Sequence, residues 1–239
     1  MEETHPRPEW IESAPEGERF KGRRRIRPIT GIVIHESVTR TAATAIRVLQ
    51  RRKLSVHYTV DRDGTVVEHC PPERRCAHAG SGKNRTTIGV ECISRYYGAH
   101  AREGDDVVSA RWAHRGSYIL PPADGSQLRS VWRLVRWLVM AYDVPCEFPG
   151  LDEAGGFRWG RIRNHADPGI MAHHRFGHAD GLAYEAYCVL RYGGLPHERA
   201  QEWMVRLASS GKRVTDLPVG MYCAQWPEEV SSLETEASA

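Results

Sequence analysis

The stretch Ile29-Thr30-Gly31-Ile32-Val33-Ile34-His35-Glu36-Ser37-Val38 decides how the rest of the chain is read. Its first six residues are short, β-branched and nearly all apolar, behind the turn-favouring Pro28, which is the pattern of a strand buried on both faces. His35 stands where that strand ends. A second run, Thr87-Ile88-Gly89-Val90, delivers Glu91 in the same manner. Two polar groups mounted on one sheet then face one cleft, which is how rigid sites are built. Between them, Ser55-Val56-His57-Tyr58-Thr59-Val60 and Thr65-Val66-Val67-Glu68-His69 flank an Asp61-Arg62-Asp63-Gly64 turn and predict a hairpin.

Outward from this centre the period changes to helix. Ala42, Ala45, Ile46, Leu49 and Leu54 fall near helical spacing, with Arg40, Arg47, Arg51 and Arg52 over the other face and Thr41 as the N-cap. A longer helix, capped by Ser126, repeats Leu128, Val131, Trp132, Val135, Leu138, Val139 and Tyr142 and ends before Pro145. That Trp and Leu stripe reads as core packing. Residues 95–125 and 146–165 lose period and read as surface insertions. Residues 1–28 are polar and Pro- and Glu-rich, an arm without a core element. After residue 194 comes an amphipathic piece with Trp203, Val205 and Leu207, then an acidic tail expected to be disordered.

With 239 residues, 41% of them hydrophobic, the chain can bury a full core as one domain over residues 29–194. The net charge of +3 is mild. The one basic run, Lys21-Gly22-Arg23-Arg24-Arg25-Ile26-Arg27, reads as a solvated lead-in to the first strand, so no nucleic-acid partner is expected. No apolar run approaches the ~18 residues that span a bilayer, and MEETHPRPEW has no basic-then-apolar signal pattern. The expectation is a soluble monomer made and kept in the cytoplasm, away from membranes. Six cysteines are spread without a CxxC pair and read as buried thiols; only Cys70 and Cys76 are close enough for a small disulfide loop.

The second dense stretch is Ile170-Met171-Ala172-His173-His174-Arg175-Phe176-Gly177-His178-Ala179-Asp180-Gly181. A short apolar strand releases three histidines and an aspartate, and Leu182, Tyr184, Tyr187, Cys188 and Leu190 continue as a helix stopped by Gly193-Gly194. A catalytic zinc site takes three protein ligands, mixing imidazole with carboxylate, and leaves one position open. His35, one of the pair His173/His174, and Asp180 supply that set. With twelve histidines in the chain, any one alone is a surface or hydrogen-bonded residue by default. Three donors, each at a strand end or in the turn after it, reverse that weighting for the set. Glu91 beside such a metal is placed as a general base, against the plainer reading of a surface salt bridge. His57, inside a strand, is either a satisfied core histidine or a wall of the site.

The order IVIH, SVHYTVDRDGTVVEHCPPERRCAHAG, TTIGVE, a long helix, then IMAHH with HADG resembles the zinc-dependent type 2 N-acetylmuramoyl-L-alanine amidases, relatives of the peptidoglycan recognition proteins. SVHYTVDRDGTV is similar to the family's hairpin, CAHAG to its HAG loop and TIGVE to its SIGIE strand, in the right order over residues 29–194. The resemblance implies a single α/β domain with a central mixed, mostly parallel sheet flanked by helices. It implies His35 as the first zinc ligand, Glu91 as the catalytic glutamate, and His78, with His57, in the substrate cleft. Where members resembling phage lysozyme-amidases carry a tyrosine, this chain has Val56, so it is closer to the glutamate-using branch that includes cytoplasmic muropeptide-recycling enzymes.

The second half departs from the family pattern of GH followed by K-x-D-P-G. Ala172 replaces the glycine, and only seven residues separate His173 from Asp180. Counting from the strand makes His173 the second ligand; counting from the His-Arg pair makes it His174. The first count is adopted. The family's oxyanion-stabilising lysine falls on His178, whose ring N–H can also donate. His165-Ala166-Asp167-Pro168-Gly169 matches K-x-D-P-G better but precedes the strand.

The implied activity is zinc-assisted hydrolysis of the amide between N-acetylmuramic acid and L-alanine in peptidoglycan or muropeptides. The roles open to it are an endolysin passing through a holin, a recycling enzyme or an effector. The alternative is a non-catalytic peptidoglycan-binding protein on the same fold.

Overall fold

The structure is a computed structural model and describes residues 6–151, 156–157, 168–210 and 217. In chain order its elements are β1 (Ile11–Ser13), β2 (Arg23–Arg24), β3 (Gly31–Ser37), α1 (Ala42–Arg51), β4 (Tyr58–Val60), β5 (Val66–Glu68), β6 (Arg74–Arg75), α2 (Gly80–Lys83), β7 (Thr87–Ile93), β8 (Val107–Ser109), β9 (Ser117–Ile119), α3 (Ser126–Tyr142), β10 (Gly169–Ala172), α4 (Leu182–Tyr192) and α5 (His197–Ser210).

The opening stretch is β3, and all seven of its residues are buried. It lies between β7 and β10, parallel to both, in a six-stranded sheet of order β1-β5-β4-β7-β3-β10. Only the β4/β5 pair is antiparallel; it is the hairpin, turned at Asp61 to Thr65 with Gly64 at φ +91°. The domain is therefore the α/β architecture with a mixed, mostly parallel sheet and flanking helices that the resemblance implied.

Residues 1–28 are not simply an arm. β1 adds a parallel edge strand to β5, with Ile11 and Ala14 buried in the core, and β2 pairs with β6. Three-residue and two-residue strands are too short to show a period of two, so nothing in the pattern signalled them.

Thr41 caps α1, its hydroxyl accepting from the Thr44 N–H, and Ala45 and Ile46 form the buried face. Leu54 falls beyond the helix and is exposed. In α3 the stripe from Leu128 to Val139 is buried as its spacing requires, Tyr142 at its end is only half-buried, and Ser126 is the first helical residue rather than the cap. Gln127, wholly buried, ties the layers together. Its amide donates to Val60 O (2.9 Å) and Ile93 O (3.0 Å), the ends of β4 and β7, and accepts from Tyr184 Oη in α4 (2.6 Å).

The first insertion carries a small β8/β9 sheet of its own, and Tyr118 in β9 is fully buried against the core. Past residue 194, α5 packs on α4 with Ala200, Met204, Leu207 and Ala208 buried, so this part of the extension belongs to the domain. The acidic tail and most of the second insertion lie outside the described residues. Cys70 and Cys76 are free, buried thiols in hydrogen-bond contact rather than a disulfide. Among the described residues no helix is long and apolar enough to cross a membrane.

Candidate functional site

β10, β3 and β7 run side by side with Ala172 level with Ile34 and Ile34 level with Val90. All three are fully buried. Side chains alternate along a strand, so the next residue on each, His173, His35 and Glu91, turns to the opposite face. The three form a row with about 4.8 Å from strand to strand. The His35 and His173 ring centroids are 4.3 Å apart.

The fourth group arrives through a loop that the chain ties tightly. A 3-10 turn, His173–Phe176, is reversed at Gly177 (φ +99°), and His174 N–H donates to Asp180 O (2.9 Å). Gly181 has φ +81°, and a Cβ there would run into the Ile34 carbonyl, so a glycine must follow Asp180 for the loop to lie against β3. Glu36 holds that contact from below. Its Oε2 accepts from Gly181 N–H (2.7 Å) and its Oε1 from Tyr118 Oη (2.6 Å). Burial, only partly offset by the Tyr118 hydrogen bond, pushes the Glu36 carboxyl up to about 8.

Asp180 Oδ2 is thereby set 3.2 Å from His173 Nδ1 and 3.8 Å from His35 Nδ1. Among the described residues these three are the group whose donor atoms lie within 4.8 Å of one another. Asp180 Oδ1 is buried and has no hydrogen-bond partner among the described residues, which leaves a carboxylate oxygen that a cation could satisfy. Two imidazole nitrogens and one carboxylate oxygen are a donor set that suits zinc with one position left open.

His35 is prepared for that role by a relay. Its Nε2 is 3.0 Å from His78 Nδ1, and His78 Nε2 is 3.4 Å from Thr87 Oγ1, whose hydroxyl donates to Lys83 O (2.8 Å). With the Thr87 hydrogen spent on Lys83, His78 must donate from Nε2 and accept at Nδ1. His35 therefore carries its proton on Nε2 and turns a bare Nδ1 to the Asp180 side. Burial, then the neighbouring rings of His173, His78 and His178, hold His35 well below the ordinary histidine range, so it stays a neutral donor. Gly89 is what lets His78 in: a Cβ at that position would sit 2.7 Å from His78 Cγ.

The family model for N-acetylmuramoyl-L-alanine amidases of the Amidase_2 group matches residues 25–180, from just past β2 to the last member of the donor set. This chain belongs to that family. Among curated proteins nothing matches. Similar solved structures include the endolysin amidase LysCS of Clostridium intestinale URNW, 15% identical, with 74% of this chain and 88% of that one covered and a TM-score of 0.46. The Staphylococcus aureus hydrolase AmiA in complex with its ligand is 15% identical over 84% and 82%, with a TM-score of 0.49. The Drosophila peptidoglycan recognition protein SA is 16% identical over 73% and 83%, with a TM-score of 0.40. Family membership places the chain among the N-acetylmuramoyl-L-alanine amidases as the matching model describes them.

Of the three residues in the row, Glu91 is the one carboxylate. Burial, with the charges of Asp180 and Glu36 added, pushes its carboxyl up to about 8. The half-buried side chain is thus a more basic carboxylate, on the strand position level with His35. His178 is exposed and stacks on His173, ring centroids 4.0 Å apart and nearly parallel. His174 instead turns its ring edge-on to Trp112 of the first insertion at 5.8 Å. Of the pair, it is His173 whose ring nitrogen the structure brings within 4.8 Å of His35 and Asp180 donor atoms. His173→Ala is expected to lose bound metal and His174→Ala to keep it, as read by elemental analysis; the reverse result would move the ligand by one residue.

His57 does not reach the cleft. It is fully buried, Gly89 N–H donates to its Nδ1 (2.9 Å), and its Nε2–H donates to Arg74 O (2.9 Å). Both ring nitrogens are spent on backbone, so it is a core histidine, touching the site only through its edge-on contact with the His78 ring at 5.7 Å. Burial is the main cause that drops its pKa to about 3. The unfolded chain binds that proton near 6.5 and the folded one does not, so stability present above pH 6.5 is lost as pH falls toward 3. Urea midpoints at pH 7 and pH 4.5 should therefore fall less in His57→Gln than in the wild type. Equal losses would remove His57 from the acid response.

Glu36, Tyr118, Arg175 and Glu185 were not singled out from the sequence. For Glu36 there was a signal, a carboxylate inside a strand otherwise buried and apolar. Tyr118 sits in an aperiodic insertion and gave none.

Proposed function

We propose that this chain is a zinc-dependent N-acetylmuramoyl-L-alanine amidase that hydrolyses the amide between the lactyl group of N-acetylmuramic acid and L-alanine in peptidoglycan or muropeptides. The observation that carries this reading is the convergence of His35 Nδ1, His173 Nδ1 and Asp180 Oδ2 beside Glu91, in a chain of the amidase family. A zinc ion held there would supply Lewis acidity toward the amide carbonyl and the attacking water. Glu91 takes the proton from that water as it attacks and passes it to the nitrogen of the leaving L-alanine as the C–N bond breaks. His178, exposed at the rim, offers a ring N–H to the developing oxyanion. His78 keeps the His35 tautomer fixed throughout. One chain supplies every group, so a monomer suffices.

The test is digestion of purified sacculi and of soluble muropeptides by the zinc-loaded, the chelator-stripped and the zinc-restored protein, with mass spectrometry of the products. The expected result is about one zinc per chain, and stem peptides with a new L-alanine amino terminus released only by the loaded forms. Zinc-loaded protein that sediments with sacculi yet releases nothing would turn the reading into that of a peptidoglycan-binding protein.

A further inference from the structure

Just beyond the donor set the surface turns basic. Ser37 ends β3 level with Ile93 at the end of β7, and the two departing loops are pinned together, with Thr39 N–H and Ser94 N–H both donating to Ser37 Oγ (3.4 Å each). Past that pin an open pocket of about 640 Å³ lies between Arg40, Thr41 and Thr44 on the β3–α1 side and Arg95, His100 and Arg102 on the insertion side. Among the described residues none that lines it is acidic. Asp105, beside two of the lining residues, is already committed: its Oδ2 accepts from the Arg95 guanidinium (2.7 Å) and from Arg102 N–H (2.9 Å). Arg95 is thus fixed and neutralised. The exposed Arg40 and Arg102 guanidinium groups have no side-chain partner among the described residues. The N-terminus of α1, with its partial positive charge, opens on the same pocket.

Resting on the amidase reading, we propose that this pocket binds the free carboxylates of the peptide stem, with Arg40 and Arg102 as its anion-binding residues. The scissile amide has a neutral side and a charged side. The muramoyl carboxyl is consumed in the amide itself, whereas the stem keeps its terminal carboxylate and, at any γ-linked glutamate, the α-carboxylate. A surface with spare positive charge is therefore complementary to the stem half. Five residues separate His35 from Arg40, a span of at most about 18 Å that the turn at Ser37 shortens; a four-residue stem reaches about 13 Å from the scissile amide, and the long arginine side chains extend toward it.

The experiment uses the full zinc-loaded chain, the wild type and Arg40→Gln/Arg102→Gln, with two synthetic muramoyl peptides identical except that one bears the glutamate α-carboxylate and the other its carboxamide. Both substitutions are on exposed side chains, and matching melting curves confirm the fold. In the wild type the acid form should have the higher kcat/KM by roughly two- to thirtyfold, the range of two exposed charge pairs. That preference should shrink with added salt and collapse toward one in the double variant, through KM. An unchanged preference in the variant, or none in the wild type, overturns the proposal. Should neither peptide be cleaved, the amidase reading fails on its own, and calorimetric binding of the same two peptides still decides the pocket. If instead the double substitution abolishes only inhibition by added polyglycerol phosphate, the site belongs to a phosphodiester polymer and the stem assignment is wrong.

Discussion

Replacing Glu91 by glutamine is expected to lower turnover on muramoyl peptides by roughly 10²–10⁴-fold, the usual size of a general-base contribution, while zinc content and substrate binding stay near those of the wild type. Glutamine keeps the volume and one hydrogen-bonding oxygen of the side chain but has no basicity. The His35–His78 relay and the Asp180 loop do not hydrogen-bond Glu91, so the donor set should survive the change. What Glu91 contributes is position and affinity for a proton. It stands level with His35 on the neighbouring strand, and its carboxyl is pushed up to about 8 by burial and by the negative charges of Asp180 and Glu36. The measurement is steady-state turnover alongside elemental analysis. A variant that works within a factor of about three of the wild type would reassign Glu91 to a structural part, and one that also loses zinc would make it a ligand-shell residue.

How much of this was legible in the sequence follows from which residues carry periodic signals. β3, β7 and the β4/β5 hairpin are apolar runs with clear ends, so they and the strand-end positions of His35 and Glu91 could be read directly. His173 over His174 was a matter of counting along β10, which pairs with β3 up to Ala172 and so puts His173 next in the row. The role of His57 was not legible. A histidine in a strand looks the same whether its nitrogens meet backbone or substrate, and only the Gly89 and Arg74 contacts decide. β1 and β2 escaped because strands of two or three residues carry no period, and the insertion's part escaped because it acts through long-range contacts such as Tyr118 to Glu36 and Trp112 to Ala208 O. The residues that support the donor set from behind act through long-range pairs, and a lone charged residue in a sequence does not name its partner.

The clearest such pair is Arg175 with Glu185, both wholly inaccessible to solvent. Arg175 lies in the turn that carries His173. Its Nη2 is 2.9 Å from Glu185 Oε1 and its Nε 2.9 Å from Oε2, a two-point contact in a plane, and Phe157 covers the guanidinium at 5.1 Å. Glu185, on α4, also accepts the Ala172 N–H (2.9 Å), so one carboxylate holds both the end of β10 and the turn after it. Breaking such a pair from one side leaves an uncompensated charge in the core, at a cost of about 3–5 kcal/mol. For a chain of this size that is roughly 6–20 °C in melting temperature. Glu185→Ala should therefore melt that much lower, and at temperatures where it remains folded it should bind zinc more weakly, because the turn bearing His173 has lost its anchor. Replacing both partners by methionine removes the stranded charge and should recover most of the melting temperature while leaving zinc affinity low. If Glu185→Ala melts within about 2 °C of the wild type, the pair does not hold the turn. If the double methionine chain regains full zinc affinity, packing alone positions His173 and the ion pair is dispensable to the site.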